Sequence, residues 1–231
     1  MADTLVEAAR IRGLVAGGGT NHARRVVIKD DFLGGPNIGA NTDSFFTSEL
    51  LYRVHTGVDI SQIYFGQFNG LNGVIEVNSD DASPTYIATD DFPFRLDKLN
   101  MLFQTRCATS GGYGGSKYWS GLSDQEVLTP NNCLRFTWVT FGNLFAEIRR
   151  AGVLVASVDT GVVMDNSVFH TAELKMVSPT SFEVWVDGVL KGTLTAAMPT
   201  VNLNYVIYAE SPGGGFNAGN AVDFWALEYD R

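Results

Sequence analysis

Phe182-Glu183-Val184-Trp185-Val186-Asp187-Gly188-Val189-Leu190-Lys191-Gly192-Thr193-Leu194 is the stretch on which the fold turns. Two short runs rich in β-branched and aromatic residues flank an Asp-Gly pair. Both turn residues tolerate the positive φ of a two-residue hairpin turn, so the run reads as a β-hairpin. Just before it, Ala172, Leu174 and Met176 alternate with Thr171, Glu173 and Lys175. Such a strand has one wet face and one dry face. Just after it, Leu203, Tyr205, Ile207 and Ala209 form another alternating set, and Val222 to Tyr229 reads as a closing strand.

The same period of two runs back toward the N-terminus. Val153 to Val158 and Leu144 to Arg149 face each other across Ala151-Gly152. Leu134, Phe136 and Trp138 alternate with polar neighbours, as do Leu99, Met101 and Phe103. Val74 to Asn78, Ile63 to Phe68, Phe45 to Val54 and a first strand around Val26-Val27-Ile28 complete the set. Many short strands separated by Gly, Asn and Asp turns predict an all-β, two-sheet antiparallel sandwich over residues 23–231. Two glycine-rich loops, Thr109 to Ser116 and Ser211 to Asn217, read as long connections on that scaffold.

The first 22 residues differ. Thr4-Leu5-Val6-Glu7 fits a capping box, Leu5, Ala8, Ala9 and Arg12 recur at helical spacing, and Gly13 stops the pattern. Gly17-Gly18-Gly19 then reads as a hinge. A helix this short needs a surface to lie on, either its own domain or a neighbour. The expected contact residues of this N-terminal arm are Leu5, Val6, Ala9, Ile11 and Leu14.

Composition narrows the function. The 231-residue chain carries a formal net charge of −9, a field that repels nucleic acid. No apolar stretch is long enough for a membrane-spanning helix. Met1-Ala2-Asp3-Thr4-Leu5 lacks the basic start and apolar run of a signal peptide, so a protein made in a cytoplasm and not exported by the usual route is expected. Cys107 and Cys133 are too few for a disulfide framework; they read as two buried free thiols, with a single disulfide between them as the alternative.

Signatures of catalysis fail one by one. Gly115-Ser116-Lys117 lacks the spacing of a phosphate-binding loop, and no glycine follows to make a nucleophile elbow. His22, His55 and His170 are too far apart in sequence for a metal-ligand motif. The doublets Asp30-Asp31, Asp80-Asp81 and Asp90-Asp91 point adjacent carboxylates to opposite faces, so neither a glycosidase pair nor an ordered calcium loop is read from them. No catalytic residue, metal or cofactor is predicted, and the expectation is a protein that is not an enzyme. Tyr113, Tyr118 and Trp119, on or beside a glycine-rich loop, are candidate stacking residues for a sugar ring. The alternative is that Tyr118 and Trp119 open a strand and enter the core.

The strand His170-Thr171-Ala172-Glu173-Leu174-Lys175-Met176, the hairpin at Asp187-Gly188 and the strand Val222-Asp223-Phe224-Trp225-Ala226-Leu227-Glu228-Tyr229 together resemble the concanavalin A-like lectin/glucanase jelly roll, including laminin-G-type domains. The resemblance implies a jelly-roll sandwich. The glucanase branch carries Glu-x-Asp-x-x-Glu on one strand, whereas the one Glu-x-Asp here is Glu228-Tyr229-Asp230. The opening Asp30-Asp31-Phe32, behind an arm, resembles bacteriophage structural proteins. That resemblance implies a virion protein, foremost a capsid decoration (cement) protein held by its arm on the major capsid protein or another virion protein, and homo-oligomeric, with a trimer suited to local three-fold sites. The alternative is a carbohydrate-binding or receptor-binding tail-fibre module.

Overall fold

A computed structural model describes residues 25–30, 44–46, 51–55, 63–68, 71–79, 84–89, 94–95, 99–111, 114–213 and 218–230. The arm, its contact residues and the boundary at 22/23 lie outside the described residues.

The described residues form sixteen strands and no helix. In chain order they are β1 (Arg25–Asp30), β2 (Ser44–Phe46), β3 (Leu51–His55), β4 (Ile63–Phe68), β5 (Leu71–Ser79), β6 (Thr85–Thr89), β7 (Leu99–Gly111) and β8 (Lys117–Ser123). Then follow β9 (Cys133–Val139), β10 (Asn143–Arg150), β11 (Val153–Val163), β12 (His170–Ser178), β13 (Ser181–Val186), β14 (Val189–Thr195), β15 (Asn204–Glu210) and β16 (Ala218–Asp230). The first sheet has the order β14-β13-β12-β7-β16-β5-β4, with β1 also paired to β16. The second has the order β11-β10-β9-β8-β15-β6-β3-β2. All pairings between these strands are antiparallel, so the expected all-β two-sheet sandwich is what forms.

The deciding hairpin forms as its residues dictate. Asp187 and Gly188 both take positive φ, +51° and +74°, and join β13 to β14. Asp187 also holds the preceding strand: one carboxylate oxygen accepts from the Thr171 amide at 2.9 Å, and the other lies 2.7 Å from His170 Nδ1. On β13, Phe182, Val184 and Val186 face the core while Ser181, Glu183 and Trp185 stay half-buried.

The core lies between the sheets. Tyr205 stacks on Trp225 at 4.2 Å between ring centroids, and Phe94 meets Trp225 edge-on at 5.6 Å. Phe103 packs against Phe136 and Tyr205. Several polar groups inside pair with one another: the Ser120 hydroxyl lies 2.8 Å from the Tyr205 hydroxyl and 3.1 Å from that of Thr105, and the Trp138 indole donates to Thr109 Oγ1 at 3.0 Å. Asn220 of the first sheet donates to the backbone carbonyls of Trp119 and Tyr208 in the second, both at 3.1 Å. Cys107 and Cys133 are free and buried, and burial pushes each thiol up to about 12.

Some expectations shift. Phe45 to Val54 is two strands, not one, and β6 and β8 had no clear alternation to announce them. The glycine-rich loop after Thr109 is shorter than its composition implies, because Thr109, Ser110 and Gly111 extend β7.

Candidate functional site

β8, β9 and β15 are buried on both faces over most of their length. Their outward side chains are covered even though they point away from the sandwich interior. Antiparallel partners share a face, so the register shows what lies there. Tyr86 pairs with Tyr208, Tyr208 with Trp119, Trp119 with Thr137, and Thr137 with Phe145. These five residues form a row across five neighbouring strands, β6-β15-β8-β9-β10, spanning about 19 Å at the usual strand spacing.

Trp119 is fully buried and stacks on Tyr208 at 5.6 Å, with Ala88, Val206 and the partly buried Tyr86 and Leu128 around them. A second row runs alongside: Ala88, Val206, Gly121, Arg135 and Glu147. Arg135, only 4% exposed, lies over the Trp119 ring at 5.4 Å. Its Nε and Nη2 both donate to Glu147 Oε2, at 3.1 and 2.8 Å, and its Nη1 donates to the Leu128 carbonyl at 2.7 Å. Leu128 sits in the segment between β8 and β9, so this bond ties that segment to the face. Gly121 permits the arrangement: a Cβ there would collide with the Arg135 backbone and the Leu134 carbonyl oxygen.

At the other flank, the Tyr208 hydroxyl donates to Glu210 Oε2 at 2.6 Å and Lys117 Nζ donates to Glu210 Oε1 at 3.0 Å. Burial, then the hydrogen bond and negative charge of Glu210, hold the Tyr208 phenol well above its ordinary range, so it stays a donor. Among these groups the Trp119 indole N–H is the orphan: it is buried and donates to nothing. An unmade bond of that kind costs about 1–3 kcal/mol and marks where an oxygen would be welcome.

The structure separates the three aromatics singled out in the sequence. Tyr113 lies outside the described residues. Tyr118 enters the core, stacks on Trp138, and donates its hydroxyl to the Gly111 carbonyl at 2.7 Å. Trp119 turns to the opposite face and forms the floor there rather than an exposed platform. Residues that the sequence reading missed, Tyr86, Arg135, Phe145, Glu147 and Tyr208, assemble only through strand register.

No protein-family model and no curated protein sequence matches this chain. Solved structures do. A Shewanella oneidensis MR-1 protein of unknown function superposes with a TM-score of 0.64 at 14% identity, over 92% of this chain and 89% of that one. A Bacillus licheniformis β-glucanase gives 0.56 at 13%, over 92% and 100%. The Emp47p carbohydrate recognition domain gives 0.55 at 13%, over 88% and 94%. The chain therefore has the concanavalin A-like jelly-roll fold. The expectation that it is not an enzyme is corrected by these neighbours: the sandwich is one on which β-glucanases are built. A missing Glu-x-Asp-x-x-Glu spacing is too narrow a ground for excluding turnover.

Proposed function

We propose that this protein recognises carbohydrate chains on the outer face of its second sheet. The aromatic row Tyr86-Tyr208-Trp119-Thr137-Phe145 carries the proposal. Its two half-buried ends stand about 19 Å apart on either side of buried Trp119 and Tyr208, a span that matches several sugar units rather than one ring. Half-buried Tyr86 and Phe145 offer ring faces at the two ends, and the Arg135–Glu147 and Lys117–Glu210 pairs offer hydroxyl-binding groups on the two flanks. Both oxygens of Glu210 are engaged, whereas the two Arg135 bonds to Glu147 both end on its Oε2.

The test is affinity electrophoresis against a panel of soluble glucans, mannans and anionic polysaccharides, followed by titration calorimetry. Phe145→Ala and Tyr86→Ala should each weaken binding about five- to tenfold without loss of fold. A panel with no ligand, or a Tyr86→Ala/Phe145→Ala double variant that binds as the parent does, would refute the assignment.

Hydrolysis of the bound chain is a second reading, favoured by the β-glucanase neighbours. Glu147 and Glu210 stand three strands apart and four residues apart along the strands, roughly 20 Å between their backbones. That is wider than the about 5–9.5 Å between the carboxyl pair of a glycosidase, so cleavage here calls for another carboxylate beside one of them. Reducing-sugar release from the same polysaccharides decides it.

Capsid decoration, or a tail-fibre role, concerns what the sandwich is mounted on. Deleting residues 1–22 and measuring occupancy on purified particles is the test of that placement, and unchanged occupancy would end the version anchored by the arm.

A further inference from the structure

A different face of the molecule holds a second cluster. Glu76 and Asn78 sit two residues apart on β5, so both project from the side opposite core residues Ile75 and Val77. Gly219 of β16 lies directly opposite Asn78. On its other side, the β16–β7 register shifts between Gly219 and Asn220, which brings Ser110 of β7 beside Gly219. Glu76 Oε1, Asn78 Oδ1 and Ser110 Oγ all converge over that glycine, each within 3.1 Å of where its Cβ would stand.

We propose that the Glu76 carboxylate, the Asn78 amide oxygen and the Ser110 hydroxyl form a site for a hard divalent cation of the calcium class on the outer face of the first sheet. The Ser110 hydroxyl is buried and makes no hydrogen bond, not even to the two oxygens beside it. The Ser110 hydroxyl is joined to neither of the other two oxygens by a hydrogen bond, and a cation at about 2.3–2.6 Å from each would engage all three. The donor chemistry selects the ion. Oxygen alone, from carboxylate, amide and hydroxyl, suits calcium, whereas zinc and copper prefer nitrogen and sulfur. Magnesium demands a near-ideal octahedron and keeps more of its water. Among the described residues no cluster of three His, Cys, Asp or Glu side chains is present, and this site needs none, because two of its donors are neutral. A single carboxylate makes the site weak, with a dissociation constant on the order of 10⁻⁴–10⁻³ M. Its ligands come from β5 and β7, the two strands that flank this end of β16, so the ion would tie the centre of the first sheet together.

Calorimetric melting of the full chain in calcium chloride, against magnesium chloride at matched ionic strength, tests the site together with equilibrium dialysis of calcium. At a calcium concentration tenfold above the dissociation constant, the melting temperature should rise by about 3–6 °C. Magnesium should give a smaller rise. Glu76→Gln and Ser110→Ala should keep the β-sheet circular dichroism and lose both the rise and the dialysed calcium. Asn78→Ala replaces Glu76→Gln should that variant not fold. Absence of saturable calcium binding in the parent, or an equal rise in parent and variants, overturns the proposal.

Discussion

β13 and β8 are strands of similar length that treat their two faces in opposite ways. In β13 every second residue is buried and the others are half-wet. In β8 every residue after Lys117 is buried. The difference lies in what covers the outer face. Glu183 and Trp185 of β13 look toward water, whereas Trp119 of β8 is sealed by Tyr208, Arg135 and the segment holding Leu128. Alternation in a sequence therefore reports solvent on one side of a strand rather than the strand itself. It fades where an outer face is occupied, and here that is where the candidate binding surface lies.

The comparison is broken most forcefully at Gly121. Gly121→Ala places a methyl group on the Arg135 backbone and should cost about 3 kcal/mol or more, or abolish folding. Gly111→Ala, whose added Cβ meets nothing within 4 Å, should cost about 1 kcal/mol or less by urea denaturation. Next come the two tryptophans. Trp119→Ala should lose about 3–5 kcal/mol, as for a core ring, and half-buried Trp185→Ala about 1 kcal/mol. Equal losses would mean that the two outer faces are equivalent after all. The charged pair follows: Arg135→Met alone leaves Glu147 without its partner and should cost about 2–3 kcal/mol, while Arg135→Met/Glu147→Met should recover part of that loss.

The smallest effect compares the sheets through one thiol in each, Cys107 on β7 and Cys133 on β9. Burial raises both from 9.0 to about 12, with Asp187 adding to the shift at Cys107. Above pH 9 the unfolded chain sheds these protons while the folded chain keeps them. The folded state then binds more protons, and stability falls as pH rises. Each thiol should contribute a slope of about 1.4 kcal/mol per pH unit once pH passes its unfolded value, and nothing well below it. Urea titrations between pH 8 and 10 should show this slope, and Cys107→Ala and Cys133→Ala should each remove one share.

How far the sequence discloses the molecule follows the same division. The hairpin at Asp187-Gly188 and the strands around Leu174 and Ile207 were legible, because a core face and a polar face alternate there. β8 was not: Tyr118 and Trp119 are adjacent, both large and both buried, one inside the sandwich and one outside. No local pattern distinguishes them. Arg135 and Glu147 are an ordinary surface-like pair on paper, and only the pairing of β9 with β10 joins them under Trp119. The Glu76, Asn78 and Ser110 cluster is hidden for a related reason, since its third member arrives from another strand across a shifted register.

β16, the last strand, occupies the middle of the first sheet between β7 and β5, with β1 also against it. On a ribosome, then, the earlier strands of that sheet emerge with no centre to join. Until residues 218–230 clear the exit tunnel, β5 and β7 hold an open gap with unpaired edges on both sides, and Asn220 cannot brace the partner sheet. Completion of the first sheet thus waits for β16 and closes loops of more than a hundred residues, a high contact order that slows folding and leaves strand edges open in the meantime.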